Sequence, residues 1–178
     1  MSRLHPLLLR RSSFSTSTST SPDSRSWCPR AAFAVATERV RAVTLSPEEA
    51  HNLLDELLRH ATPVPERSLR DFLVSLARAP DYDNRRSGPA LAIALFNRVC
   101  REDAGALLAQ PTVCTYNIIM DCCFRARRPD LGLALFGRLL RTGLKTNQIT
   151  ANTFLKCLCS AKRTDEAVDL LFHRMSDG

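Results

Sequence analysis

Side chains able to do chemistry in this 178-residue chain are seven Cys, four His and a few recurring amides. On a helix the pairs Cys122-Cys123 and Cys157-x-Cys159 would point roughly 100° and 200° apart, so neither can converge on one zinc ion. No His stands near them at finger spacing. An odd cysteine count argues against a disulfide framework, with Cys28, Cys100 and Cys114 completing the set. The cysteines therefore read as small apolar side chains between helices. His5, His51, His60 and His173 have no nucleophile or carboxylate at a telling spacing, and the zinc-deaminase signature is absent. Neither G-x-G-x-x-G nor G-x-x-x-x-G-K-[ST] occurs among the six glycines. The residues thus imply no enzyme, no metal, no cofactor and no small-molecule substrate. Amides remain: Asn117 and Asn152 stand 35 residues apart in matching surroundings. An amide offers donors and an acceptor together, though either Asn could instead cap a helix.

The elements that hold these amides are helices. Hydrophobic residues make up 44% of the chain and aromatics only 6%, so the core must come from Leu, Ala, Val and Ile. No sustained alternation suggests a sheet, and no run of about 18 apolar residues suggests membrane insertion. Ser46-Pro47-Glu48-Glu49 predicts a helix start, with Ser as N-cap, Pro in the first turn and acids at the positive end of the dipole. Further helices are expected over about 66–78 and from Pro89 onward, before an irregular stretch at 101–112.

Charge is concentrated at the start. Residues 1–44 hold seven Arg against Asp23 and Glu38, which is +5 of the net +7. Arg-flanked Leu7-Leu8-Leu9 is followed by an unbroken hydroxyl run from Ser15 to Ser21. That pattern predicts an organellar transit peptide and a disordered leader over 1–44, mitochondrial by its Arg content, with the chloroplast as alternative.

Beyond Pro111 the chain repeats. Thr115, Asn117, Cys122, Ala126, Arg128 and Asp130 recur as Thr150, Asn152, Cys157, Ala161, Arg163 and Asp165. Gly132 and Ala167 are small at the same place, which lets paired helices approach closely. A fixed period of this size marks a helical solenoid. The units V-C-T-Y-N-I-I-M-D-C-C and K-R-T-D-E-A-V-D-L-L-F-H-R-M resemble the pentatricopeptide repeat, in its plant mitochondrial fertility-restorer form. The expected architecture is all-α: a right-handed α-solenoid of antiparallel helix hairpins, about two and a half repeats, after the leader. Its parts are 1–44 leader, 45–112 helical segment with a degenerate repeat, 113–147 one repeat, and 148–178 a truncated repeat.

The resemblance implies single-stranded organellar RNA as the partner, read one base per repeat. It assigns base reading to Asn117, Asn147 and Asn152, wedging beside the base to Cys114 and Ile149, and the phosphate path to Arg125. Asn with Asn implies a pyrimidine, with cytosine and uracil poorly separated. Ser160 replaces the basic residue in the second unit, and Arg70 stands where the first segment should carry Asn. The implied role is in transcript processing, stability or translation. Alternatives are a protein-binding scaffold on the same surface, or a truncated fragment whose last hairpin leaves Leu155, Leu158 and Leu171 partly uncovered.

Overall fold

The computed structural model describes residues 28–60, 65–79, 87–101 and 111–176. The expected leader up to residue 27, the 80–86 loop and the irregular 102–110 stretch lie outside them. Eight helices follow in order: α1 (Pro29–Arg41), α2 (Pro47–His60), α3 (Glu66–Arg78), α4 (Gly88–Arg101), α5 (Val113–Arg125), α6 (Pro129–Arg141), α7 (Gln148–Ser160) and α8 (Thr164–Ser176). Among the described residues every regular element is a helix, and none is long and apolar enough to cross a membrane.

Consecutive helices pair as four stacked hairpins. The odd-numbered helices form a row in which α1 packs on α3, α3 on α5 and α5 on α7; the even-numbered helices flank it, α4 on α5 and α6 on α7. One apolar core runs along the stack, from Phe33 and Leu54 through Phe72 and Phe96 to Ile119 and Leu139. Aromatic rings link successive units. Phe33 meets Phe72 edge-on at 5.5 Å, Phe96 meets Tyr116 at 5.7 Å, and Phe136 stacks on Phe154 at 3.9 Å.

Two expectations are corrected here. The expected leader runs to residue 44, yet Pro29–Arg41 form α1, whose Phe33, Ala36 and Val40 are buried. Its arginines suited a leader in sequence, but they occupy the exposed face of an amphipathic helix whose other face joins the core. The stack accordingly holds four hairpins among the described residues, rather than two and a half repeats. Leu158 is expected to be partly uncovered; it is buried, at 2% exposure. Leu155 is half-buried, and the Leu171 side chain lies outside the described set.

The helix ends show that α1 belongs to the repeating design. After α1, α5 and α7 the second residue past the helix takes a left-handed backbone: Val43 (φ 59°), Arg127 (φ 55°) and Lys162 (φ 60°). The next amide then reaches back to a carbonyl: Thr44 to Arg39 at 2.9 Å, Arg128 to Cys123 at 2.8 Å and Arg163 to Leu158 at 3.0 Å. This six-to-one closure satisfies carbonyls that the helix leaves open. Helix α3 ends differently, with Ala79 extended (φ −60°, ψ 134°), because the proline that follows disfavours helical backbone before it. At the α2 start, Ser46 Oγ accepts from the Glu49 amide (3.2 Å) and the Ser46 amide donates to Glu49 Oε2 (2.8 Å), completing the expected cap.

Candidate nucleic-acid interface

The odd-numbered helices share one register, and positions 2, 6, 9 and 13 of each fall on a single face. In α1 these are Arg30, Ala34, Thr37 and Arg41; in α3, Arg67, Asp71, Val74 and Arg78. In α5 they are Cys114, Ile118, Asp121 and Arg125; in α7, Ile149, Thr153, Lys156 and Ser160. These faces line two clefts. One lies between α1 and α3. The other, about 280 Å³, is floored by α5 and bounded by α3 and α7. The α3 face is common to both, since Arg67 and Asp71 line the first and Val74 and Arg78 the second.

Position 5 of α5 is Asn117. Its side chain is 7% exposed and lines the second cleft. The Nδ2 group donates to Asn147 Oδ1 at 3.5 Å, while the Oδ1 atom is buried without any partner. Such an orphan acceptor costs about 1–3 kcal/mol in a folded chain, so it calls for an explanation beyond packing. Asn147 sits just before α7 and caps it: its Oδ1 also accepts from the Thr150 amide (2.9 Å) and Thr150 Oγ1 (3.0 Å). The alternative that Asn117 and Asn152 are caps is thereby corrected. Both are fifth residues of their helices, whereas the cap positions belong to Thr112 and Asn147.

The remaining expected residues divide into two groups. Ile149 (63% exposed) and Arg125 line the same cleft as Asn117. Arg125 Nε donates to Asp121 Oδ2 at 2.7 Å, which holds its guanidinium over the cleft. Cys114 is exposed but is not among the cleft-lining residues. Asn152 is exposed outside that lining and accepts from Gln148 Nε2 at 3.2 Å. Two cations in the cleft were not anticipated from sequence, Lys156 and Arg78. The signals were present: Lys156 lies one helical turn after Asn152, and Arg78 ends α3 as Arg125 ends α5.

Behind the cleft the packing is dry. Burial pushes the Cys122 and Cys123 thiols up to about 12 and Cys157 up to about 11, so at neutral pH they are uncharged apolar filler. Gly132 of α6 lies against both α5 and α7; a Cβ there would sit 2.6 Å from Cys157 Sγ and 3.5 Å from Cys123 Cβ.

Residues 111–160 match the PPR repeat family, and residues 149–175 match the PPR repeat. The chain is also similar to "Protein Rf1, mitochondrial" of Oryza sativa subsp. indica, 36% identical over 137 residues. That match takes in 77% of this chain and 16% of the relative, so the chain spans about a sixth of that protein's length. More residues align than lie after residue 110, so the similarity extends into the first two hairpins.

Proposed function

We propose, from the premise that the chain belongs to the pentatricopeptide repeat family, that it binds single-stranded RNA along the face of its odd-numbered helices. The observation that carries this reading is the buried, unpartnered Asn117 Oδ1 in a cleft lined by Arg78, Arg125 and Lys156. Asn147 Oδ1 is taken up by protein donors, which leaves its Nδ2 group for a ligand. The pair therefore presents one acceptor beside one donor. Uracil offers N3–H beside O4, and cytosine offers N4–H2 beside N3, so both pyrimidines satisfy it. Ring size, rather than edge pattern, then separates pyrimidine from purine. Ile149 supplies an apolar wall beside the base, and Arg125 a cation for the backbone.

The chain acts by occupying a transcript, in its processing, stability or translation, and not by cutting it. The relative named as mitochondrial and the Arg-rich start of the chain support action in mitochondria. The similarity to Rf1 supports a fertility-restorer-like role. Gel-shift titration with pyrimidine-rich and purine-rich single strands tests the reading. Pyrimidine strands should bind more tightly, and Asn117→Ala should weaken them about tenfold, the worth of one well-made hydrogen bond. Unchanged affinity in both Asn117→Ala and Arg125→Ala would sink it.

A further inference from the structure

We propose that the first two hairpins hold the same RNA strand without reading it, as a sequence-independent clamp beside the reading repeats. This rests on the RNA-binding reading above and extends it to helices α1 and α3, which lie outside the family-matched segment.

Three rows of side chains cross the odd-numbered helices, and they change together. At position 5 the row runs Phe33, Arg70, Asn117, Asn152, so amides are confined to α5 and α7, and Phe33 is buried. At position 2 it runs Arg30, Arg67, Cys114, Ile149, with guanidinium groups where the repeats have apolar wedges. At position 13 it runs Arg41, Arg78, Arg125, Ser160, a ladder of arginines ending α1, α3 and α5. Where the base-reading amide is missing, a cation stands at both ends of the helix face.

Charge and continuity agree with that assignment. Four arginines face two carboxylates in the α1–α3 cleft, and two arginines with a lysine face one carboxylate in the next. Leaving aside Arg39, which Glu49 holds at 2.6 Å, six cations thus meet three anions along one surface, and α3 lines both clefts. Arg30 and Arg78 make no ion pair among the described residues. Arg41 pairs with Glu38 at 2.5 Å, but both side chains are well exposed, and such a pair resists a phosphate little. Arg67 and Arg70 share the single Asp71, at 3.9 and 3.5 Å.

The chemistry follows from geometry. Arg41 and Arg78 continue the row of Arg125 and take successive phosphates through the guanidinium fork. Arg30 and Arg67, in the wedge row, lie flat against bases. Every base has a π-face, so this contact tolerates any sequence.

The test uses the full chain, single-stranded RNA of mixed and pyrimidine-rich sequence, and affinity measured against salt concentration. For single strands the slope of log K against log salt is about −0.7 per neutralised phosphate. Arg41→Gln with Arg78→Gln should reduce the slope by about 1.4, weaken all strands several-fold alike, and leave the pyrimidine preference intact. The Lys pair at the same positions should restore the slope. Arg78→Gln alone, at an exposed position, should remove about half as much and serves if the pair fails to fold. An unchanged slope in the Gln variants, with Asn117→Ala still losing affinity, overturns the clamp and leaves the reading repeats standing. No RNA binding by the unaltered chain overturns both. Polyglutamate binding as tightly as RNA, and lost in the Gln pair, would make this a protein-docking face and also overturn it.

Discussion

Asn117 and Asn147, thirty positions apart, meet across 3.5 Å, the Asn117 amide nitrogen donating to the Asn147 side-chain oxygen. That oxygen simultaneously caps α7 through Thr150. The two roles of Asn147 can be separated. Asn147→Ser keeps a favoured cap and removes the amide, so thermal stability should hold while RNA affinity drops. Asn147→Ala should lose both, with about 1 kcal/mol of stability. Chemical denaturation beside gel-shift titration checks this; equal stability loss in both variants would refute the division of labour.

Asn117 carries a buried acceptor with no partner in the free protein. Asn117→Ala removes that desolvated oxygen and gives up only one long hydrogen bond. We expect the free chain to melt at the same temperature or slightly higher, even as it loses RNA. A loss of several degrees would show that the amide serves the fold instead.

Gly132 is the point of closest approach between α6 and its neighbours. Gly132→Ala gains about 1 kcal/mol of helix propensity but places a methyl on Cys157 Sγ. Overpacking of this kind costs about 1–3 kcal/mol, so a net loss is expected. Adding Cys157→Ala empties the obstacle, and the second change should cost less with Ala at 132 than with Gly. An additive double-mutant cycle would rule the contact out as the cause.

Val43 is a β-branched residue held at φ 59°, half exposed, in the turn after α1. Left-handed backbone costs such a residue roughly 1–2 kcal/mol that glycine does not incur. Val43→Gly should therefore raise the melting temperature, whereas glycine at an interior helix position lowers it. No gain would mean that the turn is not strained.

The buried thiols give an alkaline signature. Cys122, Cys123 and Cys157 hold their protons to about 12, 12 and 11 in the fold, against 9.0 when exposed. Above pH 9 the unfolded chain has fewer protons bound than the folded one, so stability is full below pH 9 and falls as pH climbs through 11–12. Melting temperature across pH 8–12 reads this directly. At pH 8 a thiol reagent should label the exposed Cys28, Cys114 and Cys159 well before the buried Cys122, Cys123 and Cys157; early labelling of Cys157 would contradict the dry interior.

Much of this molecule was legible in its residues because its order is local. Helix starts at Ser46 and Glu66, the 35-residue period, the small residues Gly132 and Ala167, and the amide at Asn117 depend on neighbours in sequence or on a repeat that restates them. The α1 helix was not legible, since Arg30, Arg39 and Arg41 suit the end of an Arg-rich leader as well as the polar side of a helix. Only packing against α2 and α3 buries Phe33 and Val40 and decides between the two. Nor could sequence show that Asn147 caps α7 while touching Asn117, or that arginines on α1 and α3 line up with Arg125. Those relations join residues dozens of positions apart. The repeat determined what each unit is; stacking the units determined which side chains share a cleft, because a solenoid builds its surface between hairpins and not within them.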